Sequence, residues 1–205
     1  LLSKNTKQSM DIALLKKGDQ RAFQELIDST HSDVFRLAVK FTSNRDDAKD
    51  IAQEVYLEAF RNIRDFREDA NIRTWLYRIT VNRSLNLIKR NKTKFQSLSI
   101  DSESESIEGI SAPVQHGADK PLENKELRRL LNAALDKLPE NQRTAFLLFN
   151  HDGMSYNEIA EILNTSLSAV ESLIFRSKAN LRKLLGDYYE KNYRVPQVLK
   201  PTDVK

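Results

Sequence analysis

Cysteine is missing from the 205 residues, which excludes disulfides, thiolate metal sites and a cysteine nucleophile, and fits a reducing compartment such as the cytoplasm. Histidine is scarce: His31, His116 and His151 are the only three, far apart in sequence and without acidic or histidine partners at ligand spacing. No metal site and no cofactor are expected. Glycine and proline number five each, too few for a turn-dense β-sandwich or a collagen-like chain. Long apolar runs are absent too. Ala145–Phe149 is among the longest, against the roughly 20 residues a membrane-spanning helix needs. No basic-then-apolar leader opens the chain. A nucleophile–base constellation and a phosphate-cradling glycine loop are also missing, so an enzyme is not expected.

What is present is a chain with 40% hydrophobic and 30% charged residues, the composition of a soluble, helix-rich protein of one or two domains. The net charge of +4 with a pI near 9.2 says little, but its distribution says more. Arg73, Arg78, Arg83, Lys89, Arg90, Lys92 and Lys94 follow one another with no acidic residue between them. The sign then reverses over 96–120, where Asp101, Glu103, Glu105, Glu108 and Asp119 face only Lys120, among many serines. That stretch has too few large apolar residues to fold alone and reads as a flexible acidic linker.

The linker separates two all-α domains. In the first, residues 8–95, apolar positions recur at helical spacing through Ile12, Leu15, Phe23, Leu26 and Ile27, then Val34, Phe35, Ala38 and Phe41. A break is expected near Gly18-Asp19 and a turn at Ser43–Asp46. Ala48, Ile51, Ala52, Val55, Ala59 and Phe60 mark the next helix, and Trp75, Leu76, Ile79, Leu85 and Ile88 the last. The second domain, 121–187, begins with a helix around Glu123–Lys137 and restarts at Leu138-Pro139-Glu140. Residues 188–205 are expected to be a frayed tail.

Residues 153–185 read as a helix-turn-helix. Ser155 with Glu158 forms a capping box. Ile159, Ala160 and Leu163 make an apolar stripe, and Asn164 sits where a left-handed residue must end the helix. Ser166 or Ser168 caps a second helix whose apolar face runs through Val170, Leu173, Ile174, Leu181 and Leu184. Its outer side keeps Phe175, Arg176, Lys178, Arg182 and Lys183. Such a helix is built to enter a major groove; the plainer reading is a helical hairpin with a solvated face.

Phe66–Arg83 carries aromatic, cationic and amide side chains at near-helical spacing. Aromatics that stack on unpaired bases, beside cations that neutralise phosphates, suit single-stranded nucleic acid. Asn71, Thr74 and Asn82 could serve the Watson–Crick edges of extruded bases. A lone Trp on a helix, such as Trp75, is more often a core residue than a stacking platform.

Asp46-Asp47-Ala48-Lys49-Asp50-Ile51-Ala52-Gln53-Glu54-Val55-Tyr56, with Phe66-Arg67 and Thr74-Trp75-Leu76-Tyr77-Arg78-Ile79, resembles region 2 of bacterial sigma factors of the extracytoplasmic-function group. Leu138-Pro139-Glu140-Asn141-Gln142-Arg143 with the helix-turn-helix resembles region 4 of the same family. The resemblance implies a transcription initiation factor that partners core RNA polymerase and promoter DNA, and that an anti-sigma factor holds inactive. Asp47, Asp50, Gln53, Glu54 and Glu58 would dock on the polymerase, their carboxylates falling three or four residues apart on one helical face. Phe66, Arg67, Asn71, Thr74, Trp75, Arg78, Asn82 and Arg83 would melt and hold the −10 element. Ser168, Glu171, Ser172, Phe175, Arg176 and Lys178 would read the −35 element.

One departure from the family pattern matters: a basic side chain is common at the place of Glu171, and often another at that of Leu173. Glu can accept from a cytosine amino group but is repelled by phosphates. The carboxylate here therefore implies an altered −35 preference, weaker −35 binding or a side chain turned to solvent. About 25 extended residues reach at most roughly 80 Å, more than the roughly 34–36 Å of one duplex turn, so the linker can join domains on two promoter elements. A helix-turn-helix regulator acting on duplex DNA without polymerase, or a polymerase-binding adaptor, would be built from the same elements.

Overall fold

The computed structural model describes residues 11–67, 71–100, 123–151 and 153–193; within these, 95–100, 123–126, 128 and 187–193 are described as backbone only. Eight α-helices and one 3-10 turn follow in order among the described residues, and no strand is found there.

Region by region, the chain folds where its caps tell it to. Helix α1 (Ile12–Lys16) starts on Asp11, whose carboxylate accepts from the N–H groups of Ala13 and Leu14. Gly18, at φ 79°, takes the left-handed conformation that lets the chain reverse. Asp19 then caps α2 (Gln20–Thr42). The turn after α2 is only Ser43-Asn44. Ser43 is left-handed at φ 55°, and Asn44 caps α3 (Arg45–Asn62) through bonds from Asp46 and Asp47 N–H. A 3-10 turn, Ile63–Asp65, leads toward α4 (Ile72–Ile100).

α2, α3 and α4 pack around Leu26, Val34, Ala38, Ile51, Val55, Ala59 and Leu76, each 3% exposed or less. The Tyr56 hydroxyl is shared with Thr30 at 2.8 Å inside this core. Burial pushes its pKa up to about 12, the Thr30 bond opposing only part of the rise. Asp33 ties α2 to α4 by accepting from Arg73 at 2.6 Å.

The second domain is α5 (Glu123–Asp136), α6 (Glu140–Phe149), α7 (Tyr156–Leu163) and α8 (Leu167–Tyr193). The capping box on Ser155 is complete: Glu158 N–H donates to Ser155 Oγ at 3.3 Å, and Ser155 N–H to Glu158 Oε2 at 2.8 Å. Asn164 is left-handed at φ 50°, and Ser166 Oγ accepts from Ala169 N–H at 3.2 Å.

Two boundaries and one face differ from expectation. α4 runs on to Ile100, past the edge drawn at residue 95. α8 continues through Gly186 to Tyr193, so helix, rather than frayed tail, occupies 188–193. A single helical glycine costs only about 1 kcal/mol relative to alanine, which a long preceding helix tolerates. The buried line of α8 is Val170, Ile174, Ser177 and Leu181, while Leu184 is 40% exposed. The rest of the linker, 101–122, and the tail from 194 lie outside the described residues.

The two domains also pack on each other, an interface that helical periodicity does not reveal. Leu37 and Phe41 of α2 and Val81 of α4 join one apolar cluster with Leu135, Leu138, Leu147 and Leu148 of the second domain. Arg143 donates to the Phe41 carbonyl at 3.1 Å, Lys40 to the Asn150 carbonyl, and Lys89 pairs with Glu140 at 3.0 Å. The buried His151 ring meets Tyr77 edge-on, centroids 5.3 Å apart.

Candidate nucleic-acid interface

The helix α4 begins where Asn71 Oδ1 accepts from Arg73 N–H at 2.9 Å. That cap aims the first two turns along an open cleft of about 740 Å³. One wall is Asp65, Phe66, Arg67, Thr74, Trp75 and Arg78; the other is Ala160 and Glu161 of α7 with Asn164 and Thr165 of the turn that follows it. Trp75 is half-buried and tilts against Phe66, ring centroids 5.2 Å apart. An aromatic surface flanked by guanidinium groups can hold an unpaired base and its phosphate.

The residues singled out from sequence divide unequally over this site. Phe66, Arg67, Thr74, Trp75 and Arg78 converge on the cleft. Phe66 and Thr74 are 4% and 3% exposed, so they form its floor. Asn71 spends its side-chain oxygen on the helix cap. Asn82 is exposed one turn past Arg78 and outside the cleft lining. Arg83 faces α3 instead: its Nε donates to Glu58 at 2.6 Å, and Nη1 lies 3.3 Å from Glu54. At 100° per residue, the five positions from Arg78 to Arg83 turn the side chain by a net of about 140° round the helix.

The acidic set lies on the outer side of α3. Asp50, Gln53 and Glu54 are exposed and Asp47 and Glu58 partly so. Asp46, one residue before them, is held below the usual carboxylate range, first by the hydrogen bond from Lys49 and then by its charge. Leu57 and Phe60 of α3 are also 49% and 50% exposed, Phe60 with its ring edge-on to Phe23 at 5.1 Å between centroids.

On α8, Ser168, Glu171, Ser172, Phe175, Arg176 and Lys178 are all exposed, and Phe175 is 75% so. The line Val170-Ile174-Ser177-Leu181 locks the opposite side into the domain. Lys178 Nζ sits 4.2 Å from the centroid of the Phe149 ring, a cation–π contact that fixes it on one flank. This leaves Ser168, Ser172, Phe175 and Arg176 on the outermost strip.

Sequence reasoning missed the second wall of the cleft. Asn164 reads from sequence only as the residue that ends a helix, and Glu161 and Thr165 carry no signal of their own; only the domain packing makes the three lining residues. Among the described residues no group of three or more His, Asp or Glu could hold a metal ion, and no helix is long and apolar enough to cross a membrane.

The model of sigma-70 region 2 matches residues 26–94, and that of sigma-70 region 4 matches 128–181. The ECF RNA polymerase sigma factor SigW of Bacillus subtilis is 34% identical over 181 residues, covering 86% of this chain and 95% of that protein. The ECF RNA polymerase sigma-E factor of Escherichia coli is 33% identical, covering 80% and 86%. Among solved structures, CnrH in complex with the cytosolic domain of CnrY is similar with a TM-score of 0.63 and 27% identity, covering 86% of this chain and 95% of that one. The sigma factor RpoE in complex with the anti-sigma factor NepR from Bartonella quintana shares the fold, with a TM-score of 0.61 and 24% identity over 81% of this chain and 98% of that one. With both regions matched in order and full-length relatives above 30% identity, the chain belongs to the ECF group of the sigma-70 family, the transcription initiation factors of bacterial RNA polymerase.

Proposed function

We propose that the chain divides initiation between its two faces in the bacterial cytoplasm, performing no covalent chemistry itself. The region 2 domain, 8–95, docks on core RNA polymerase through Asp47, Asp50, Gln53, Glu54 and Glu58, an acidic ridge suited to a basic partner surface. The same domain captures the −10 strand at Arg67, Trp75 and Arg78, over a floor of Phe66 and Thr74. The region 4 domain, 121–187, reads the −35 element with the first turns of α8, and 96–120 tethers the two. An anti-sigma factor is the expected inhibitor.

The observation that carries this reading is the cleft. Five residues chosen from sequence for single-strand capture line one wall of it. Stacking contributes about 1–3 kcal/mol per base, which offsets an unpairing cost of a few kcal/mol. The second wall belongs to region 4, so a strand enters only when the domains part. The closed chain on its own is therefore a weak promoter binder, and polymerase docking shifts it to the open form.

Run-off transcription with reconstituted core polymerase tests the reading. Specific, salt-sensitive initiation is expected only when chain and polymerase are both present. Tight, specific duplex binding by the isolated chain, with no gain from polymerase, would reject it in favour of a conventional helix-turn-helix regulator.

A further inference from the structure

Glu171 is the one carboxylate on the exposed early turns of α8, between Ser168 and Phe175. Its side chain has no hydrogen bond or ion pair among the described residues, and Lys178, seven residues on and on the same flank, is held over the Phe149 ring. Val170, its neighbour in sequence, is fully buried and anchors the helix. Glu171 therefore stands about a quarter-turn from the buried line, on the part of a recognition helix that meets base edges. Among the described residues no cation is paired with it.

A bare carboxylate in a major groove is repelled by both phosphate strands unless a base donates to it. Guanine presents O6 and N7, and thymine O4, all acceptors; adenine pairs its amino donor with the N7 acceptor. Cytosine alone offers an amino donor with no acceptor beside it.

We propose that Glu171 is a specificity-determining residue that selects a cytosine at one position of the −35 element, by accepting from its N4 amino group. The proposal rests on α8 being the −35 reader, and its test separates the two.

The full-length chain and its E171Q and E171K variants, each with reconstituted core polymerase, are assayed on a promoter library randomised across the −35 element. The wild type enriches cytosine at one position by about ten-fold or more over guanine and thymine, the size of one good base contact. E171Q moves that preference to adenine, which a glutamine amide grips through N6 and N7. E171K moves it to guanine O6 and N7. All other positions keep their preferences. If E171Q and E171K change initiation equally on every sequence, Glu171 acts only through its charge on the helix and groove, and the proposal falls. Loss of −35 dependence in the wild type itself would overturn the reading of α8, and the proposal with it.

Discussion

Truncating Phe41 should open the chain. Phe41 is 1% exposed and, with Leu37 and Val81, joins the region 4 core across the domain boundary. It lies in the last turn of α2, so separation of the domains would leave its ring on the surface of region 2. Phe→Ala at a buried site costs about 3–5 kcal/mol. If region 2 itself accounts for half of that, about 2 kcal/mol falls on domain closure, roughly a thirty-fold shift toward the open form. The Arg143 bond to the Phe41 carbonyl is a main-chain contact and survives the substitution. The chain has no native cysteine, so Lys49→Cys and Lys183→Cys, both at exposed sites, accept a pair of dyes without background labelling. Energy transfer between them should fall in Phe41→Ala, and single-stranded −10 DNA should bind more tightly. Reversing the exposed Lys89–Glu140 pair should move transfer far less, since such pairs contribute at most about 1 kcal/mol. Unchanged transfer in Phe41→Ala, with both domains shown to be folded by melting, would refute this account of closure.

Three further outcomes are expected. Trp75→Ala should reduce promoter opening by about ten-fold or more in a permanganate footprint, and Trp75→Phe should keep most of it; equal opening in all three would remove Trp75 from strand capture. Tyr56 has its pKa raised from 10.0 to about 12, so the native state holds its proton longer than the unfolded chain. The stability this contributes is intact below pH 10 and is lost as pH rises toward 12. Tyr56→Phe should flatten that loss in thermal melts while lowering stability by about 1 kcal/mol at neutral pH. Ser155→Ala removes the cap of α7 and should destabilise region 4 by about 0.5–2 kcal/mol, read as a lower melting temperature for that domain with region 2 unchanged.

Local chemistry was legible in the sequence because caps and turns act within a few residues. Ser155 with Glu158, Asn164 and Ser166 each do in the structure what their positions implied. Asn44 was expected only within a turn, and it proves to be the cap that shortens that turn to two residues. What could not be read was which cations stay available. Arg73, Arg83 and Lys89 belong to one basic run in sequence, yet each finds a carboxylate on another helix: Asp33, Glu58 and Glu140. Such pairings depend on tertiary register, about which a charge run is silent. The domain interface was hidden for a similar reason. Leu37 and Phe41 fit the α2 pattern as ordinary core positions, and nothing in helical periodicity says whose core they enter.

Helix α4 holds one more consequence. Its 29 residues form a rod of roughly 43 Å at 1.5 Å per residue, with the cleft-lining Thr74, Trp75 and Arg78 near one tip and the chain's continuation toward region 4 at the other. Adding a residue within the rod would swing that departure point by about 100° and move it by about 1.5 Å. The direction in which the chain leaves the first domain is thus set by the exact number of residues in α4.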